Sequence, residues 1–172
     1  IDMYLDTADR LTIRDNGRGM PTEKHPKFPS KSAVEIIMTT LHAGGKFSGK
    51  AYATSGGLHG VGASVVNALS IELTVEIARD KILYQQQFSR GKPLGPLSEI
   101  GAAPNRRGTS ISFTPDTEIF GADTKFRPAT LFRMARSKAY LFAGVEIRWR
   151  CDPSLLATDD LTPSETNLHY PG

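Results

Sequence analysis

Cysteine is nearly absent from this sequence: Cys151 is the only one among 172 residues. That excludes an internal disulfide and a multi-cysteine metal centre, and leaves packing as the simplest role for the thiol. Long apolar runs are missing too. None approaches the roughly 18 residues a membrane helix needs, and no signal peptide is visible, which points to the cytoplasm. His25, His42 and His169 lack the cysteine or carboxylate spacing of a metal site, so no metal ligand is expected. There are no repeats and no low-complexity tracts. Neither sign of charge dominates: a net +3 permits an anionic ligand or a nucleic-acid neighbour but argues for neither. What remains, 39% hydrophobic and 23% charged, is ordinary globular usage for a single domain over 1–172.

The common phosphate-binding signatures are also absent. Gly45-Lys46, Gly49-Lys50 and Gly91-Lys92 are followed by Phe47, Ala51 and Pro93, so no Walker A loop exists. No G-x-G-x-x-G occurs either; the order is reversed, Gly57-x-x-Gly60-x-Gly62, within "SGGLHGVGASVVNALS". Four glycines in seven residues cost backbone entropy, yet an amphipathic pattern follows at once. Glycine admits positive φ and close approach of a ligand to the main chain. Free N–H groups at a helix start suit a phosphate. A flexible linker is the dull alternative, but linkers seldom run straight into an amphipathic helix.

Alternating patterns predict strands, and 3.6-residue spacing predicts helices. "IDMYLD" and "LTIRD" around "TADR" read as a hairpin, and "LTVEIA" and "ILYQQQF" around Arg79-Asp80-Lys81 read as another. "GTSISFTP" and "VEIRWRC" are further strands. A helix is predicted over 32–43, with Val34, Ile37, Met38 and Leu41 on one face, Ser30 or Ser32 as N-cap and Gly44 as stop. A second follows the glycine run, with Val61, Val65, Val66 and Leu69 as its apolar residues. A third, "PATLFRMARSKAYLFAG", ends at Gly144. Hairpins with a few interposed helices imply an α+β two-layer sandwich with a mainly antiparallel mixed sheet and helices on one face. The Gly-, Ser- and Lys-rich stretch 45–57 reads as a lid.

"RDNGRGMP", Arg14 to Pro21, is the second chemical feature. A strand delivers Asp15 into a turn expected to need Gly17 and Gly19, and Pro21 stiffens the exit. Asn-Gly is a common turn former, so its weight comes from company. A carboxylate at the end of a buried strand can accept a hydrogen bond from an exocyclic amine such as adenine N6. Charged hydrogen bonds of that kind are worth about 1.5–3 kcal/mol.

Together "DNGRGMP", "LHAGGKF" and "SGGLHGVGASVVNALS" resemble the ATP-binding motifs of the B-type subunits of bacterial type IIA topoisomerases. These belong to the GHKL superfamily with the MutL repair proteins, the heat-shock chaperone ATPases and the sensor histidine kinases. The likeness runs through "GTSISFTPD", "KAYLFAGVEIRWR" and "NLHYPG". "KAYLFAGVEI" and "HPKFPSKSA" look more like the topoisomerase IV type than the gyrase type. The resemblance implies an enzyme that uses ATP and Mg²⁺, with DNA and an A-type subunit as partners and dimerisation on ATP binding.

By that resemblance Asp15 takes the adenine amine, and Thr109 shares a bound water with it. Gly19 lies beneath the base, between apolar walls from Met20 and Ile37. Gly57, Leu58, His59, Gly60, Val61, Gly62 and Ala63 wrap the phosphates, mostly through backbone N–H groups. Lys46 and Tyr52 belong to the lid, and Arg18, Pro21 and Arg79 line an outer pocket that takes ATP-competitive inhibitors. In relatives a helix before the first strand carries a Glu that activates water and an Asn that ligates Mg²⁺, and a downstream transducer domain supplies a Lys. Ile1 already stands on the first strand, so no catalytic residue and no metal ligand is expected within this chain. It is expected to be a truncated excerpt, a nucleotide- or inhibitor-binding module with little turnover as it stands.

Overall fold

The computed structural model describes residues 1–40, 62–158 and 160–171. Nine strands form its main sheet: β1 (Asp2–Thr7), β2 (Arg10–Arg14), β5 (Ser70–Arg79), β6 (Ile82–Ser89), β7 (Lys92–Pro93), β8 (Ser98–Ala102), β9 (Gly108–Pro115), β10 (Glu146–Cys151) and β11 (Glu165–His169). Their order is β11-β10-β1-β2-β9-β5-β6-β7, with β8 also paired to β6. β3 (Lys24–His25) and β4 (Phe28–Ser32) form a separate pair. β1 and β10 run parallel; the other pairs are antiparallel. The helices are α1 (Ala33–Thr39), α2 (Gly62–Ala68), α3 (Thr117–Phe120) and α4 (Pro128–Leu141).

Register shows why the sheet has one greasy face. Leu73, Phe113, Leu11, Leu5 and Cys151 stand opposite one another on successive strands, so all five side chains share a side. Val34 and Met38 of α1 pack on Leu73, Val75, Ile77 and Phe88. Farther along, Leu131 of α4 meets Leu5, Leu11 and Trp149, and Ala135 and Ala139 meet Ile147 and Leu168. The opposite face is polar: the Thr12 and Ser112 hydroxyls meet at 2.7 Å, and the Arg150 guanidinium lies 4.7 Å over the Tyr4 ring. This is the two-layer α+β arrangement expected from sequence.

The last helix stops at Leu141, three residues short of the expected Gly144, and two others depart further. Ser32 is the N-cap of α1, its hydroxyl accepting from Glu35 N at 3.1 Å. The helix then stops at Thr39, with Thr40 extended at φ −125°, rather than running to 43. In α2 the buried residues are Ser64 and Asn67, while Val65 is 40% exposed. Asn67 Nδ2 donates to Met38 O at 2.9 Å, capping a carbonyl in the last turn of α1, and that bond sets which way α2 faces. Val66 still packs on the first core cluster, as its spacing implied.

Candidate functional site

The end of the sheet where β2, β9 and β5 meet holds the Asp15 turn. Asp15 N donates to Thr109 O at 2.9 Å, extending the β2–β9 ladder one step beyond Arg14. The Asp15 carboxylate then curls back. Its Oδ1 accepts from Gly17 N at 3.0 Å and from Thr109 N at 3.1 Å. Thr109 Oγ1 accepts from Met20 N at 2.9 Å. Two guanidinium groups hold the turn's carbonyls: Arg107 Nε donates to Gly17 O and Arg79 Nη1 to Gly19 O, both at 2.9 Å.

Glycine is required here at two positions, for reasons internal to the protein. Gly19 has φ +83°, and a Cβ on it would come within 2.9 Å of Ile77 Cγ2. Gly108 has φ +122°, and its Cβ would collide with Asp15 O. The bare backbone at 108 is what lets the turn close on β9. Gly17 is different: it has no positive φ, and a Cβ would make ordinary contact with Asp15 Oδ1.

The strand that delivers Asp15 is less buried than expected. Asp15 and Arg14 are exposed, and Ile13, on the helix-bearing face, is 40% exposed. Ile13 is therefore apolar surface beside the carboxylate, on the same strand face two residues away. Met20 is partly buried and packs on the first core cluster. Ile37 is buried within α1 and Pro21 is buried just after the turn. Arg18 is exposed. Gly62 opens α2 and is exposed, with the half-buried Ala63 behind it.

Asp15, Gly19, Met20, Arg79 and Thr109 are thus brought together by direct bonds. Lys46, Tyr52, Gly57, Leu58, His59, Gly60 and Val61, and the lid expected over 45–57, lie outside the described residues. Sequence reasoning missed Gly108, Arg107 and Ile13. Gly108 reads as a strand start, and its close partner is 93 residues earlier in the chain; only the tertiary contact reveals it.

Elsewhere the chemistry is quiet. Burial, aided by Asp152 and Asp160, raises the Cys151 thiol above its ordinary 9.0, so it stays a neutral packing group. Two surface hollows, one beside Tyr140 and Tyr170 and one beside Tyr4 and Arg150, include none of the candidate residues. No group of three or more His, Cys, Asp or Glu among the described residues is placed to hold a metal.

A carboxylate with one engaged oxygen and one without a partner among the described residues, set beside apolar surface and a tightly closed turn, suits a flat ligand bearing a single amine donor. Comparison with known proteins gives the class. The family described as histidine kinase-, DNA gyrase B- and HSP90-like ATPase matches residues 2–119, and the chain belongs to it. Within that class, the chain is 59% identical over 171 residues to the B subunit of DNA topoisomerase 4 from Caulobacter vibrioides, covering 99% of this chain and 24% of that protein. It is 48% identical over 148 residues to the B subunit of DNA gyrase from Halalkalibacterium halodurans, covering 86% of this chain and 23% of that one. Its fold matches the 43K ATPase domain of Thermus thermophilus gyrase B, solved with an aminocoumarin, at a TM-score of 0.76 and 36% identity. That match covers 98% of this chain and 39% of the other. The chain spans about a quarter of the curated relatives it matches.

Proposed function

We propose that this chain is the ATP-binding part of a type IIA topoisomerase B-type subunit, of the topoisomerase IV kind. The adenine amine donates to Asp15 Oδ2, and Ile13 and Met20 supply apolar surface beside the ring. The phosphates extend toward the glycine run that ends at Gly62 and Ala63. Lys46 and Tyr52 come from the lid, and Arg18 and Arg79 stand at the outer rim with Pro21. Bound ATP supplies a transferable phosphoryl group. The residues around the Asp15 turn do something simpler: they select the base and hold the nucleotide's inner end. Mg²⁺ in the whole protein would be held largely by the nucleotide's own phosphates.

In the whole protein, ATP closes a dimeric clamp on DNA, and hydrolysis resets it as one duplex passes through another with the help of an A-type subunit. The 59% identity to a topoisomerase 4 subunit against 48% to a gyrase subunit supports decatenation as the main activity. No helix among the described residues is long and apolar enough to cross a membrane.

One observation carries this reading: Asp15 is locked by two backbone donors on Oδ1 and has no partner on Oδ2 among the described residues. Titration calorimetry with ATP tests it. Asp15→Ala should weaken binding by roughly ten- to a hundredfold, the worth of a charged hydrogen bond. Unchanged affinity would overturn the assignment of the base to Asp15.

A further inference from the structure

Besides the Thr109 hydroxyl on Met20 N, segment 107–109 grips Asp15 and Gly17 at four points. Thr109 O accepts from Asp15 N, and Thr109 N donates to Asp15 Oδ1. The bare Gly108 lies against Asp15 O, and Arg107 Nε donates to Gly17 O. The last contact is the informative one. Gly17 N is the second donor on Asp15 Oδ1, so Arg107 holds in place the residue whose N–H fills that oxygen.

An ionised carboxylate has about four lone-pair sites on its two oxygens. Two donors on Oδ1 use up that oxygen, leaving Asp15 a one-oxygen acceptor. The distinction matters for purine choice. Adenine presents one exocyclic amine and no N1–H, and one open oxygen satisfies it. Guanine presents N1–H and an amine side by side, a pair that matches a carboxylate with both oxygens open. A carboxylate alone would not reject guanine. One with an oxygen already occupied offers guanine a single acceptor for two donors and leaves a donor unmet.

We propose that Arg107 is a specificity-determining positioning residue: by holding Gly17 it keeps the second donor on Asp15 Oδ1, so that oxygen is saturated and the site is biased toward adenine over guanine nucleotides. This rests on the ATP-binding reading above. Arg107 is exposed, so its effect is moderate and shows in the ratio of affinities more than in stability. The neighbouring Arg106 is the natural control. It pairs with Glu76 at 3.3 Å, and no hydrogen bond from it to the turn is found among the described residues.

The test is calorimetric titration of the chain with ATP and, separately, GTP, for wild type, Arg107→Ala, Arg107→Lys and Arg106→Ala, with thermal melts of each. Arg107→Ala should raise the ATP dissociation constant about three- to tenfold and leave GTP unchanged or tighter. The ATP-to-GTP preference then falls by about tenfold, with little change in melting temperature. Arg107→Lys, which keeps a donor, should recover part of the preference, and Arg106→Ala should retain it. An unchanged preference in Arg107→Ala, or an equal loss in Arg106→Ala, would overturn the inference. Wild-type protein that bound neither nucleotide would overturn the ATP-binding reading and this inference with it.

Discussion

The two ends of the helix-bearing face are built on opposite plans. Around β10 and α4 the sheet is filled by bulk: Trp149 is fully buried, meets Phe132 edge-on at 5.6 Å, and sends its Nε1–H to Pro163 O at 2.8 Å. Around the Asp15 turn it is closed by absence. Gly19 and Gly108 bring strands and turn together where side chains would collide, and backbone N–H groups do the bonding. The first plan stabilises the fold. The second leaves Asp15 and Ile13 exposed, where the proposed nucleotide would meet them. Stability and recognition are thus placed in different strands, so substitutions should separate them.

The largest effect is expected at Gly108, the one place where closure of the turn serves both stability and recognition. Gly108→Ala forces a Cβ onto Asp15 O at φ +122° and should cost on the order of 3–5 kcal/mol. It should also remove ATP binding from whatever protein remains folded. Chemical denaturation with parallel titration checks both effects. Trp149→Ala should cost a similar amount, about 3–5 kcal/mol for an emptied aromatic core site. Its ATP affinity, measured well below the melting point, should match wild type. A binding defect there would collapse the distinction between the two ends. Gly19→Ala comes next, at about 1–3 kcal/mol, because the nearest clash is with the Ile77 side chain at 2.9 Å and the nearest backbone atom, Ala78 O, lies at 3.3 Å.

The smallest effect belongs to the loop beyond β10. The Ser154 backbone and side chain hydrogen bonds hold Asp152 below its ordinary 3.8, and those of Thr162 do the same for Asp160. A carboxyl with a depressed folded value takes up its proton later than in the unfolded chain. Its contribution is therefore complete above the ordinary value and is lost as pH falls through the lower folded one. Acid unfolding followed below about pH 4 should be slightly less steep in Asp152→Asn, with ATP affinity at neutral pH unchanged.

Much of this architecture is legible in the chain. The β5–β6 hairpin announces itself by alternation, and its Asp80 and Lys81 accept positive φ at the turn. β9 and β10 alternate as well, and the buried Leu131, Ala135 and Ala139 of α4 fall on a helical stripe. Other elements carry no such signal. β8 is exposed at every residue, and β4 and β7 each contain a proline, so neither alternation nor propensity marks them. The inward turn of Asn67 follows from a carbonyl 29 residues earlier, which no local pattern encodes. The same holds at the site. Asp15 and Gly19 stand out in "RDNGRGMP", while Gly108 and Arg107 matter only because folding sets them against it.

Backbone amide shifts recorded during an ATP titration would test the central claim most directly. If the Asp15 turn and its strand partners form the nucleotide site, the largest changes fall on Gly17, Met20 and Thr109. Amides of Ile147, Trp149 and Leu168 stay near their free positions. Changes centred on β10, β11 or the Tyr140–Tyr170 hollow, with the 15–20 turn silent, would contradict it.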